Sequence, residues 1–378
     1  MNFCIDRDVL AQTISIVERF VPSKTTIPIL SGIKFYTYEG ELNLASTDVD
    51  MGINYTIKKN DDIYEIRQEG AVVVSARILS EIVRKMPSGP VDFSVDGNHI
   101  TLSSGELKIE IYYYSAEDFP EISISGTTPC LKFSQRSFKE MIKKTIYAKS
   151  DDYTLRPQLT GALIQIADGV LNMVCLDGYR IAWCWEKVKG DSLLSDDLSV
   201  IVPGKTLMEL SKIFEDDDSD FMMYIGKNKV EFTNNNLVIS SRVLEGSFID
   251  YKNVMDIDEK TKVVVDCGML LSAIERALVL AREGSQNNLF KLKINVDEIV
   301  VSAESDIGNI QEKIKCNTKG EELLIAFNAR FFIDALRAAN EPRVILKFSG
   351  QSGPCIITPE NSRGRIDFIL PVKLRGEI

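Results

Sequence analysis

The side chains most often used for catalysis are scarce or badly placed in this 378-residue chain. Its one histidine, His99, lies in the alternating stretch GNHITLSS, so no Ser-His-Asp, Cys-His or histidine-rich metal arrangement can be assembled. The seven cysteines (Cys4, Cys130, Cys175, Cys184, Cys267, Cys316 and Cys355) are scattered through apolar stretches without a C-x-x-C pair, which reads as reduced core residues. Gly204-Lys205-Thr206 matches the end of a phosphate loop, but position 199 is Ser where the signature needs Gly. Asp48 and Asp50 begin like a calcium loop, yet the twelfth position is Lys59 instead of Glu. The acidic run EDDDSD at 215–220 follows a helix-like stretch and reads as a solvated turn. Carboxylates are abundant, but none forms a spaced pair in an acid/base context. The expectation is a non-catalytic protein with no cofactor and no metal.

Charge offers a different chemistry. The formal net charge is −11, which argues against indiscriminate nucleic-acid binding if it is spread evenly. It is not spread evenly. Six stretches with helical periodicity, 7–19, 75–87, 134–150, 203–214, 268–282 and 328–340, carry 16 Lys/Arg against 7 Asp/Glu, leaving 28 against 48 for the rest. Such segregation points to a helix-built surface that meets a polyanion while sheets and loops face elsewhere. Basic side chains also snorkel from any amphipathic helix. Snorkelling does not account for a basic residue, Arg77, Lys205 or Arg330, opening the second helix of three successive units.

Those units are an internal repeat. A strand, a turn and an acidic end recur as LSGIKFYTYEGELNLASTD closing at Asp48, LTGALIQIADGVLNMVCLD at Asp177 and LFKLKINVDEIVVSAESD at Asp306, both steps being 129 residues. Helices with apolar residues at i and i+4 recur at Leu10/Ile14, Phe138/Ile142 and Leu270/Ile274, each after a short alternating strand. A strand running into a second helix recurs as VVVSARILSEIVRKMP, VIVPGKTLMELSKIFE and LLIAFNARFFIDALRAAN. The phrases EDFPEI and GSFIDY close the first two units. Each unit reads roughly as β-α-β-β twice over. Alternating segments such as ELNLAS, VDFSV and LKIEIYY have the period of half-buried antiparallel strands. The fold class expected is α+β, three tandem units with two helices packed on one face of an antiparallel sheet, at 1–126, 127–254 and 255–378. With 44% hydrophobic and 26% charged residues the chain sits inside the globular range, and the charged first twenty residues fit neither a signal peptide nor a membrane span. A soluble, cytoplasmic protein is expected.

The phrases carrying the repeat, TTIPILSGIKF, RPQLTGALIQ, LDGYRIAW, VPGKTLMEL, GSFIDY and the terminal FILPVKL, resemble the bacterial DNA polymerase III β subunit, the sliding-clamp family, from residue 1 to about 374. The resemblance implies a head-to-tail homodimer closed into a ring, helices lining a central hole and sheets outside, holding double-stranded DNA through phosphate contacts without base readout. The family's DNA-contacting positions fall on Lys24, Arg77 and Lys205. Its cleft for short apolar peptides of DNA polymerase III catalytic subunit, clamp loader and other clamp-binding proteins falls on Leu159, Leu176, Gly178, Tyr179, Arg180, Ile181, Ile249, Asn253, Val254, Phe368, Leu370, Pro371, Val372, Lys373 and Leu374. In that reading Gly178 lets a peptide backbone approach and Arg180 reaches a peptide carbonyl. Leu176, Tyr179 and Ile249 stand where the family usually has Thr, His and Pro, which implies a narrower or more apolar cleft. A ring of two such chains requires heterologous contacts between unit one and unit three, expected at Ile109 against Val279 and Leu280. No membrane partner is expected.

Overall fold

The computed structural model describes residues 1–58, 64–122, 131–188, 198–283, 288–361 and 364–373. The first stretch runs β1 (Asn2–Asp6), α1 (Arg7–Val17), β2 (Gly32–Tyr38), β3 (Glu41–Thr47), β4 (Met51–Ile57) and β5 (Tyr64–Gln68). It continues with β6 (Ala71–Ser75), α2 (Ala76–Val83), β7 (Pro90–Asp96), β8 (His99–Ser104) and β9 (Leu107–Ser115). The second runs β10 (Leu131–Ser134), α3 (Gln135–Thr145), β11 (Gly161–Ala167), β12 (Val170–Leu176) and β13 (Arg180–Lys187). After it come β14 (Leu198–Pro203), α4 (Gly204–Ile213), β15 (Asp220–Ile225), β16 (Lys229–Thr233), β17 (Leu237–Arg242) and the single-turn α5 (Tyr251–Val254). The third runs β18 (Thr261–Asp266), α6 (Cys267–Glu283), β19 (Leu289–Ile294), β20 (Glu298–Ser305) and β21 (Gly308–Gly320). It ends with β22 (Leu323–Asn328), α7 (Ala329–Ala339), β23 (Arg343–Phe348), β24 (Cys355–Pro359) and β25 (Arg365–Ile369). The motif is therefore β-α-β-β-β, written six times, one strand longer per copy than the sequence pattern suggests. In the first copy β5 is an addition.

The helices form because their apolar residues recur at 3.6-residue spacing against a sheet. Leu10, Thr13, Ile14 and Val17 are the buried stripe of α1, and Phe332, Ile333, Ala335, Leu336 and Ala339 that of α7. Asp6 caps α1 by accepting from the backbone N–H of Asp8 and Val9, and Asn328 caps α7 from Arg330 N–H. At its other end α7 stops at Asn340, which takes the left-handed conformation at φ +48°. Among the described residues every strand pairing is antiparallel, as the alternating pattern requires.

Two compact units result. The first comprises described residues of 1–135 and 212–243, the second those of 136–211 and 244–373. The first unit's sheet runs β10-β15-β16-β17-β4-β3-β2-β6-β9-β8-β7-β1-β5. Its helices α1 and α2 pack together, over a core in which Phe3 and Phe93 stack at 4.5 Å and Phe93 meets Phe35 at 5.4 Å. The second unit's sheet runs β14-β11-β12-β13-β25-β24-β23-β18-β21-β20-β19-β22. There α6 and α7 pack together over a core that includes Phe290, Phe327, Phe332 and Phe348. The middle repeat contributes strands to both sheets, through β17 beside β4 and β13 beside β25. His99 sits on β8, as its alternating context indicates. Cys175, Cys184, Cys267 and Cys355 are buried free thiols, while Cys130 lies outside the described residues.

Candidate functional site

The β12–β13 connection is a turn that its own aspartate organises. Asp177 Oδ1 accepts from the backbone N–H of Tyr179 at 2.9 Å and of Arg180 at 3.1 Å, an arrangement that local Asp side chains favour. Gly178 lies at φ +93° with open space where a Cβ would stand, so the backbone favours glycine there and that face is left unobstructed. Arg180 then reaches inward, its side chain 11% exposed. Its Nε donates to Asp177 Oδ2 at 3.0 Å, Nη1 to Asp334 Oδ2 at 2.7 Å and Nη2 to the Tyr147 carbonyl at 2.7 Å. The guanidinium also lies over the Phe331 ring at 4.5 Å, and that ring stacks with Tyr179 at 6.3 Å. Arg180 is thus mainly the keystone of the turn, with only its remaining N–H groups free for a ligand carbonyl.

A cavity of about 880 Å³ opens beside this turn, lined in part by Leu155, Arg156, Leu159, Gly178, Tyr179 and Phe331. Beneath it Leu159, Leu176, Ile181 and Phe368 belong to one buried cluster that also takes in Tyr251 from α5. Ile249, Val254, Leu370 and Val372 are 38–41% exposed, and Tyr179 is 64% exposed. The described cleft positions therefore include a buried floor and an exposed apolar rim. Leu370 N–H donates to the Tyr179 carbonyl at 2.9 Å and Val372 N–H to Ala326 at 2.8 Å, which holds the segment after β25 alongside the turn. Pro371 is half-buried and Lys373 exposed, while Asn253 donates its amide to Asp250 at 2.6 Å. Leu374 lies outside the described residues. Sequence reasoning missed Leu155, Phe331, Asp334 and Tyr147. Phe331 follows Arg330 in α7, and only the fold brings it to a turn some 150 residues earlier.

The basic positions have a common geometry. Arg77, Lys205 and Arg330 are each the second residue of their helix, α2, α4 and α7. None of these helices has an acidic residue in its first turn. A cation there opposes the helix dipole, at a cost of about 0.3–1 kcal/mol each, so helix stability does not explain them. Arg77 is 89% exposed and pairs with Glu81 at 3.4 Å on the next turn, a pair of little energetic weight. Lys205 is exposed as well. Lys24 is exposed in the loop before β2 and makes no hydrogen bond or ion pair among the described residues. It lines a groove of about 430 Å³ with Thr26, Ile27, Leu30, Asp48 and Val49.

Three family models cover almost the whole chain: the DNA polymerase III beta subunit N-terminal domain matches residues 1–123, the central domain 132–250 and the C-terminal domain 252–373. The chain belongs to the DNA polymerase III beta subunit family. The Beta sliding clamp of Bacillus subtilis strain 168 is 32% identical over 380 residues, covering 99% of this chain and all of that relative. A crystal structure of the Bacillus subtilis DNA polymerase sliding clamp superposes with a TM-score of 0.93 at 31% identity, covering 99% of both chains. A putative DNA polymerase III beta subunit from Eubacterium rectale superposes at 0.92 and 31% identity, covering 99% of this chain and all of that one.

Within this beta-subunit fold, two of the strand edges that stand open among the described residues lie on β9 and β21. Residues 107–112 of β9 pair only with β8, since β6 takes up only 113–115. Residues 308–315 of β21 pair only with β20, since β18 takes up only 316–320. Ile109 is half-exposed on the first edge, and on α6 Val279 is 65% exposed and Leu280 half-buried. No described helix is long and apolar enough to cross a membrane.

Proposed function

We propose that this chain is a DNA sliding clamp, a processivity factor that closes as a head-to-tail homodimer around duplex DNA and carries no chemistry of its own. Membership of the beta-subunit family over nearly the full length carries this reading. The thrice-placed basic residue at a helix start supports it, because phosphate contacts explain cations where the helix dipole disfavours them. Lys24, Arg77 and Lys205 are the DNA-contacting residues in this reading. Weak, sequence-independent contacts suffice once the ring encloses its track. The units proposed are 1–126, 127–254 and 255–378, and the working compartment is the cytoplasm. The open edges of β9 and β21 favour strand-to-strand pairing between copies, flanked by Ile109, Val279 and Leu280, because an unpaired edge is a template for another chain.

The cleft at Asp177–Arg180 captures a short apolar segment of the DNA polymerase III catalytic subunit, the clamp loader or other partners. An apolar floor, an exposed apolar rim and a few polar fixers are what peptide capture needs. The test loads the protein onto nicked circular DNA in moderate salt and then linearises the circle. A clamp stays on the circle and runs off the ends. Retention on linear DNA would refute enclosure.

A further inference from the structure

Behind the cleft turn lies an ion pair that stability alone does not explain. Arg365 and Asp367, on β25, are 4% and 2% exposed, and Arg365 Nη2 sits 2.7 Å from Asp367 Oδ2. Arg365 Nη2 also donates to the Ala335 carbonyl of α7 at 3.0 Å, yet its Nε and Nη1 are buried with no hydrogen-bond partner among the described residues. Unsatisfied buried donors destabilise a fold, and a buried pair of this kind is commonly no more stable than packed apolar residues.

What the pair does hold is Tyr147, in the turn after α3. The Tyr147 hydroxyl donates to Asp367 Oδ1 and accepts from Arg365 Nη2 at 3.0 Å. Burial and the neighbouring Asp367 carboxylate push that hydroxyl well above its ordinary pKa, so it stays a donor. At its other end the Tyr147 carbonyl accepts from Arg180 Nη2 at 2.7 Å, and its ring lies 5.4 Å from the Arg180 guanidinium. Tyr147 is therefore tied to the buried pair by its hydroxyl and to the cleft arginine by its backbone and ring.

We propose that Tyr147, anchored on Arg365 and Asp367, is a positioning residue that fixes Arg180 and with it the Asp177–Arg180 turn for peptide capture. The inference rests on the reading of this cleft as a peptide site. It is tested on the full-length protein with a fluorescein-labelled pentapeptide of apolar residues, matched to the apolar floor of the cleft, by fluorescence anisotropy. Tyr147→Phe keeps ring and carbonyl and should weaken binding about tenfold, as the loss of a hydrogen bond to a charged group implies. On an Arg180→Met background the same change should cost nothing further, a non-additivity that general destabilisation does not produce. Should Tyr147→Phe fail to fold, Asp367→Asn, which takes away the charge that the hydroxyl's hydrogen bond is made to, is expected to give the same pattern with a smaller loss. Unchanged binding by the folded variants, or losses that add, would overturn the proposal. Failure of the wild-type protein to bind the peptide would instead remove the cleft reading, and the proposal with it.

Discussion

Val49 and Gly178 occupy the same place in successive repeats, each following the aspartate that organises its turn. Both are left-handed, at φ +81° and +93°. For glycine this is free, whereas for a β-branched residue it costs on the order of 1–2 kcal/mol. Gly178→Ala should therefore destabilise the protein by about 1 kcal/mol, although no described atom lies within 4 Å of where the added Cβ would stand. Val49→Asn should stabilise it by up to about 1 kcal/mol, because Asn tolerates this region. Urea midpoints of the two variants check both signs. Cys175 gives a prediction in pH. Burial pushes its thiol up from 9.0 to about 12, against smaller lowering effects from Thr145 and Lys149. A raised folded-state pKa means stability that is fully present below pH 9 and is lost as pH climbs towards 12. By pH 10.5 the loss is about 2 kcal/mol. Wild type should therefore lose more stability between pH 8 and 10.5 than Cys175→Ala, and equal losses would show that this thiol is not the cause.

At the scale of elements, the three cations at position two of α2, α4 and α7 separate function from folding. Replacing Arg77, Lys205 and Arg330 together by Gln removes charges from positions that the helix dipole disfavours, so thermal stability should hold or rise slightly. DNA retention should fall in parallel, with the salt dependence of binding shallower by about 0.9 per lost phosphate contact. A large drop in melting temperature would mean that these residues serve the fold. The recurrence of this basic position was legible from sequence because it sits two residues past a short apolar strand in each copy, AVVVS, LSVIVP and LLIAFN. The one-turn α5 was not legible, since four residues are too few to show a 3.6-residue period. Nor was the extra strand in each half-repeat, because short apolar runs such as those around Val230 and Ile239 have no unique period. In the cleft, the residues contributed by Asp177–Ile181 were readable as a phrase. The partners of Arg180, namely Tyr147, Phe331 and Asp334, come from α7 and the turn after α3, and only strand pairing between β13 and β25 brings their elements together.

For the whole molecule the decisive property is closure, and it can be separated from the cleft. Val279 is 65% exposed on α6, a large aliphatic side chain for which a single protomer offers no cover, and Leu280 beside it is half-buried. Placing two carboxylates there should leave the fold standing while making burial against a second copy costly, since an unpaired buried charge is strongly disfavoured. Val279→Asp with Leu280→Asp is therefore expected to be a folded monomer by light scattering, with circular dichroism close to wild type. The monomer should lose retention on nicked circular DNA altogether, because weak phosphate contacts hold nothing that is not enclosed. It should still bind the pentapeptide with wild-type affinity, because neither Val279 nor Leu280 is among the described residues that line the cavity beside the turn. A dimer that survives both substitutions would reject this interface. A monomer that keeps its grip on circular DNA would reject enclosure, since binding would then come from contacts rather than topology.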